Sequence, residues 1–209
     1  MDQPESEADL KPRQRRKRET RARLADAARR LFAERAFERT TVRAIASAGG
    51  ASTGAVAAHF GSKIGLLLAI LEDVNRRQLD LVRQTMPPDG CTRQKLMHML
   101  RIFYAFDLEQ PTLTAAVLAY AWRWDEEVEE RIRAFFDEGD TLMRSLLAEG
   151  VRAGELAPAL DLDLAVRTIF ALYTRTLRNA IVEHASAEEA AGQLERQVTL
   201  LFDGLRHAG

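Results

Sequence analysis

RLADAARRLFAERAFERTTVRAIASAGGASTGAVAAHFGSK, residues 23–63, decides the fold. Leu24, Ala28, Leu31 and Phe32 recur at helical spacing with arginines on the opposite side, so the pattern predicts a helix from about Lys17 to Ala36. Thr40 or Thr41 stands where a hydroxyl caps a second, short helix with Val42 and Ile45 on its apolar side. Gly49 and Gly50 break that helix, and Ser52 is placed to cap a third, Thr53 to His59. Phe60 returns to the core, Gly61 permits a turn, and Ser62 caps a longer fourth helix. Two short helices around a glycine turn have the spacing of a helix-turn-helix. The second helix of that motif must come close to base edges, and Ser52, Thr53, Gly54 and Ala55 are small enough to allow it. Free N–H groups at its start favour phosphate.

Charge points the same way. The net charge of -1 hides an asymmetry: residues 1–63 hold 14 Lys+Arg against 8 Asp+Glu, a balance of +6, and the remainder balances at -7. The basic residues concentrate in KPRQRRKRETRAR, residues 11–23, next to a polar N-terminal segment. Residues 1–16 therefore read as a disordered basic arm, residues 17–63 as the DNA-binding unit and residues 64–209 as a second helical domain. Neutralising phosphates releases counterions, so such an arm adds affinity whatever the base sequence.

The rest of the chain is also helical in period, with no strand alternation. Helices are expected over Cys91 to Asp107, from Pro111 to about Trp124, onward to about Ala153, from Asp161 to His184, and from Ser186 onward. That makes an all-α protein of about nine helices.

The order of parts in residues 23–63 resembles the N-terminal signature of the TetR family of transcriptional repressors. Ala27, Leu31-Phe32-Ala33-Glu34, Phe37, Thr40-Thr41-Val42, Ile45-Ala46, Gly50, Ser52, Gly54, Phe60 and Ser62-Lys63 carry it without a gap. The family usually has glycine where this chain has Ala36, alanine where it has Gly49, and a backbone-contacting tyrosine where it has Ala57, followed here by Ala58. By matching position, the resemblance implies DNA contacts from Thr41, Arg43, Ser52, Thr53, Gly54, Ala55, His59 and Lys63, with Lys63 matching a phosphate-binding lysine. Arg16 and Arg18 of the arm join them, and loss of the tyrosine implies binding that depends unusually on the arm. Arg43 suits a phosphate, a guanine or a solvated position; His59 suits a phosphate or a plain helix end.

The resemblance also implies a C-terminal domain that dimerises and holds a small apolar or aromatic effector. Val166, Ile169 and Tyr173 on one helix, and Leu194, Val198, Leu201 and Leu205 on the next, form apolar stripes that suit either a four-helix dimer interface or the core of one chain. For the effector, the candidates are His98, Phe103, Tyr104, Tyr120, Trp122, Trp124, Phe170 and Tyr173, a set equally at home in a core. Partners are thus double-stranded operator DNA, a small molecule and a second copy.

Other classes find little support. There is no glycine-rich phosphate loop, serine elbow or paired histidine at metal spacing, so no enzyme, cofactor or metal is expected. Cys91 is the single cysteine, which suits a reducing cytoplasm, and no apolar run approaches membrane-spanning length or forms a secretory signal. Two rivals to a ligand-responsive repressor remain at this level: an effector-free DNA-binding factor, and a helical adaptor whose helix-turn-helix has decayed.

Overall fold

A computed structural model describes residues 12–121 and 126–206. Among them are nine helices and no strand: α1 (Pro12–Arg35), α2 (Val42–Ala48), α3 (Thr53–Phe60), α4 (Lys63–Thr85), α5 (Thr92–Glu109), α6 (Pro111–Ala121), α7 (Glu126–Arg152), α8 (Leu162–Glu183) and α9 (Ala187–Arg206). The chain divides into two compact units, residues 1–71 and 72–209. The division falls inside α4, beyond the 63/64 boundary expected from sequence, because the first turns of α4 carry apolar residues that are buried: Leu66, Leu67 and Ile70.

In the first unit, α1 packs on α2 and α2 on α3. Leu24, Ala28, Phe32, Phe37, Ile45, Val56 and Phe60 are all buried, and Phe32 meets Phe37 with ring centroids 5.1 Å apart. Helix α1 begins at Pro12, five residues before the expected start. Proline suits a first helical position because its missing N–H would have had no helical partner there. Residues 12–16, expected in a disordered arm, are therefore helical.

The two threonines divide their work. Thr41 caps α2, its Oγ1 accepting from Ala44 N at 3.1 Å. Thr40 is buried and closes the end of α1, its hydroxyl donating to the Ala36 carbonyl at 2.9 Å and approaching that of Leu31 at 3.2 Å. The chain leaves α1 through Ala36 at φ +63°, the left-handed conformation that favours glycine. Gly50, at φ +63°, makes the turn between α2 and α3. Its neighbour Gly49 is fixed by space instead, since a Cβ there would stand 2.8 Å from Leu24 Cδ2.

The second unit is a bundle in which α5 lies against α7, α8 and α9. Its core joins Leu96, Met99, Leu100, Tyr104, Leu147, Ile169, Leu177, Leu194 and Val198. No single helix among the described residues is long and apolar enough to cross a membrane.

Candidate DNA interface and effector cavity

Helix α3 presents two different faces. Val56 and Phe60 are buried, whereas Ser52, Thr53, Gly54, Ala57 and Ala58 are exposed. Ser52 caps the helix through Oγ, which accepts from Ala55 N at 3.1 Å. This fixes the direction of the helix start and leaves a surface of small side chains, so backbone can approach a flat or grooved partner closely. Thr41 and Arg43 are exposed at the start of α2, while Ala55 and His59 are half-buried.

The far end of α3 is held by a residue that motif matching missed. Arg21 Nη1 donates to the His59 carbonyl at 2.7 Å, and its guanidinium lies 4.6 Å from the Phe60 ring centroid. Burial, with the charges of Lys17 and Arg21, holds the His59 imidazole below its ordinary pKa. The signal for Arg21 was weak, because one of the six arginines in residues 11–23 gives no hint that it alone is tied back to the fold.

Lys63 does not stand free for a phosphate, as its matched position implies. Its ammonium donates to the carbonyls of Phe37 at 2.9 Å and Thr40 at 3.0 Å and lies 4.2 Å from the Phe37 ring centroid. Burial lowers its pKa. Lys63 thus satisfies two carbonyls of the α1–α2 connection. Arg16 and Arg18 are exposed on α1. Both lie in helical rather than extended backbone.

In the second unit, the apolar stripe takes the second of its two readings and faces the core of its own chain. Val166, Tyr173, Leu194 and Val198 are each at most 5% exposed within the single chain. These side chains pack in the core of their own chain. Leu201 is half-buried, and the side chain of Leu205 lies outside those described. The exposed side of α8 is instead Leu164, Ala171, Arg175, Arg178 and Val182, with Leu164 and Val182 at 56% and 63%. On α9, Leu200 is 75% exposed.

The effector candidates separate likewise. Tyr104 is fully buried core, stacked on Tyr173 at 4.5 Å and donating to the Tyr173 carbonyl at 3.2 Å. His98 pairs with Thr85 Oγ1 at 2.9 Å. Trp122, Trp124 and the Tyr120 side chain lie outside the described residues. Phe103, Phe170 and Tyr173 do meet, around a cavity of about 50 Å³ between α4, α5, α7 and α8.

That cavity also holds residues not anticipated from sequence. Asp107 accepts from Tyr173 OH at 2.5 Å and from Gln78 Nε2 at 3.0 Å. Its carboxyl is enclosed, and burial pushes its pKa up to about 6 against the opposing pull of those two donors. Asp140 is raised too, by burial and by Asp137. A signal existed: Asp107 continues the apolar stripe Leu96, Leu100, Phe103 at helical spacing, so a carboxylate occupies a core-facing position. Among the described residues no group of three or more side chains is set to hold a metal ion.

Comparison with known proteins agrees with this architecture. The model of "Bacterial regulatory proteins, tetR family" matches residues 24–70, and that of the "Tetracyclin repressor-like, C-terminal domain" matches residues 86–194. The HTH-type transcriptional regulator TtgR of Pseudomonas putida is 30% identical over 200 residues, 90% of this chain and 92% of its own. The fatty acid degradation regulator FadR of Bacillus halodurans superposes with a TM-score of 0.76 at 22% identity, covering 90% of this chain and 97% of the other. FadR of Bacillus subtilis in complex with stearoyl-CoA superposes with a TM-score of 0.74 at 17% identity, covering 84% and 95%.

Proposed function

Because the chain belongs to the TetR family of transcriptional regulators, we propose that it is a repressor that binds a palindromic operator as a dimer and leaves it when a small molecule enters the second unit. The observation that carries the DNA reading is the exposed, small-residue face of α3, capped by Ser52 and flanked by the basic surface of α1. Thr53, Gly54 and Ala55 are the residues for close approach to the bases; Thr41, Arg43 and the arginines of α1 are those for phosphate.

A dimer follows from the chemistry of a palindrome, which is read by two recognition helices about one DNA turn apart. The surface we assign to it is the outer stripe of α8 from Leu164 to Val182 together with Leu200 of α9. These large apolar side chains are exposed, whereas the inner stripe is spent on the core. An effector favouring one arrangement and an operator favouring another would weaken each other's binding by the same factor.

The test is a mobility-shift titration with DNA from upstream of the protein's own gene, at fixed salt, with and without a library of apolar and aromatic compounds. Binding that is specific, and relieved by some compound, supports the reading. Specific binding that no compound relieves makes the protein an effector-free DNA-binding factor. No specific binding makes it an adaptor.

A further inference from the structure

The small cavity between α4, α5, α7 and α8 combines aromatic walls with acidic groups. Its aromatic walls are Phe103, Phe136, Phe170 and Tyr173, and its polar groups include two carboxylates, Asp107 and Asp140. Among the described residues, no lysine or arginine lines it. Asp140 has Arg144 near it electrostatically, though Arg144 itself pairs with Asp163. Among the described residues, the donors to Asp107 are neutral, the Tyr173 hydroxyl and the Gln78 amide. An enclosed carboxylate without a cation is unfavourable by desolvation, and aromatic faces attract cations through the ring quadrupole.

We propose that this cavity is the charge-selecting part of the effector site and takes the protonated head of an organic amine, with Asp107 as its counter-ion and the surrounding rings as its cage. The proposal rests on the reading of the second unit as an effector domain. The space sets the division of labour: about 50 Å³ admits an ammonium head, whereas an aromatic body needs the half-buried rings of Phe103 and Phe170 to move aside. A neutral ligand of the same shape would leave the carboxylate uncompensated, and a carboxylate ligand would oppose it.

Isothermal titration of the full-length protein without DNA tests this, using benzylammonium, benzyl alcohol and benzoate as a shape-matched series. Benzylammonium should bind at least tenfold more tightly than either of the others. Asp107→Asn, which keeps the shape and removes the charge, should weaken benzylammonium at least tenfold and leave benzyl alcohol unchanged. Gly139→Ala gives a second handle: its methyl would sit 3.6 Å from Phe103 Cε2 at the cavity wall, an ordinary contact. This variant should weaken benzylammonium several-fold while unfolding no more easily than the parent. Equal binding of all three compounds, or undiminished benzylammonium binding by the Asp107→Asn protein, overturns the proposal and leaves DNA binding untouched. Asp107-dependent binding that does not alter operator affinity in a parallel mobility shift upholds the ammonium site and overturns the ligand-response reading instead.

Discussion

The hydroxyl of Tyr173 on α8 donates to the carboxylate of Asp107 on α5 at 2.5 Å, and burial holds that carboxyl at a pKa of about 6. The bond joins two helices through a group that is uncomfortable when charged. Relative to its ordinary value of 3.8, the folded protein binds this proton more tightly than the unfolded chain does. The contribution is therefore most favourable below about pH 4 and declines as pH rises toward 6, by about 3 kcal/mol in all. An Asp107→Asn protein should lack this decline. Denaturant unfolding at pH 4.5 and 7.5 should show the variant gaining on the parent at the higher pH. A constant difference between the two proteins would refute the assignment.

Ala36 sits at φ +63°, where a Cβ is strained and glycine is not. Ala36→Gly should stabilise the protein by about 1 kcal/mol, despite the greater freedom glycine has when unfolded. The expected signature is a rise of roughly 2–4 °C in melting temperature.

Lys63 gives two carbonyls their donors, and its removal would leave both without that partner. Lys63→Met should lower unfolding stability by about 2 kcal/mol. If the residue chiefly met a phosphate, the change would instead reduce the slope of log K against log salt by about 1 and spare stability.

Ala57 is exposed on α3, so a larger side chain there meets solvent rather than core. Ala57→Tyr should tighten operator binding by about tenfold, a hydrogen bond to a charged group being worth roughly 1.5–3 kcal/mol. The gain should be similar for matched and mismatched operators, because a backbone contact carries no base information. An unchanged affinity would mean that α3 does not approach DNA by this face.

Val182 and Leu200 are exposed, while Leu194 is fully buried. Val182→Glu with Leu200→Glu should yield a folded monomer by sedimentation, with helical circular dichroism preserved. Leu194→Ala should instead cost about 2–5 kcal/mol of stability, as a cavity in the core does. A double variant that stays dimeric would place the interface elsewhere.

Sequence by itself determined what is local. A hydroxyl cap at Thr40 or Thr41, Ser52 as a cap, the break at Gly49-Gly50 and the run of helices all follow from interactions within a few residues, and all are present, the structure choosing Thr41 as the cap and Gly50 as the left-handed residue. Short-range chemistry also gave α3 its small, open surface. Tertiary structure alone decided partnership. A stripe such as Val166, Ile169 and Tyr173 states that a helix face must be covered, but its own chain and a second copy satisfy that demand equally; packing within the bundle used it. The same holds for charge. Lys63 and Asp107 are ordinary ions in the sequence, and their roles arise only when folding removes water from around them and leaves two carbonyls beside one, and a tyrosine and an amide beside the other.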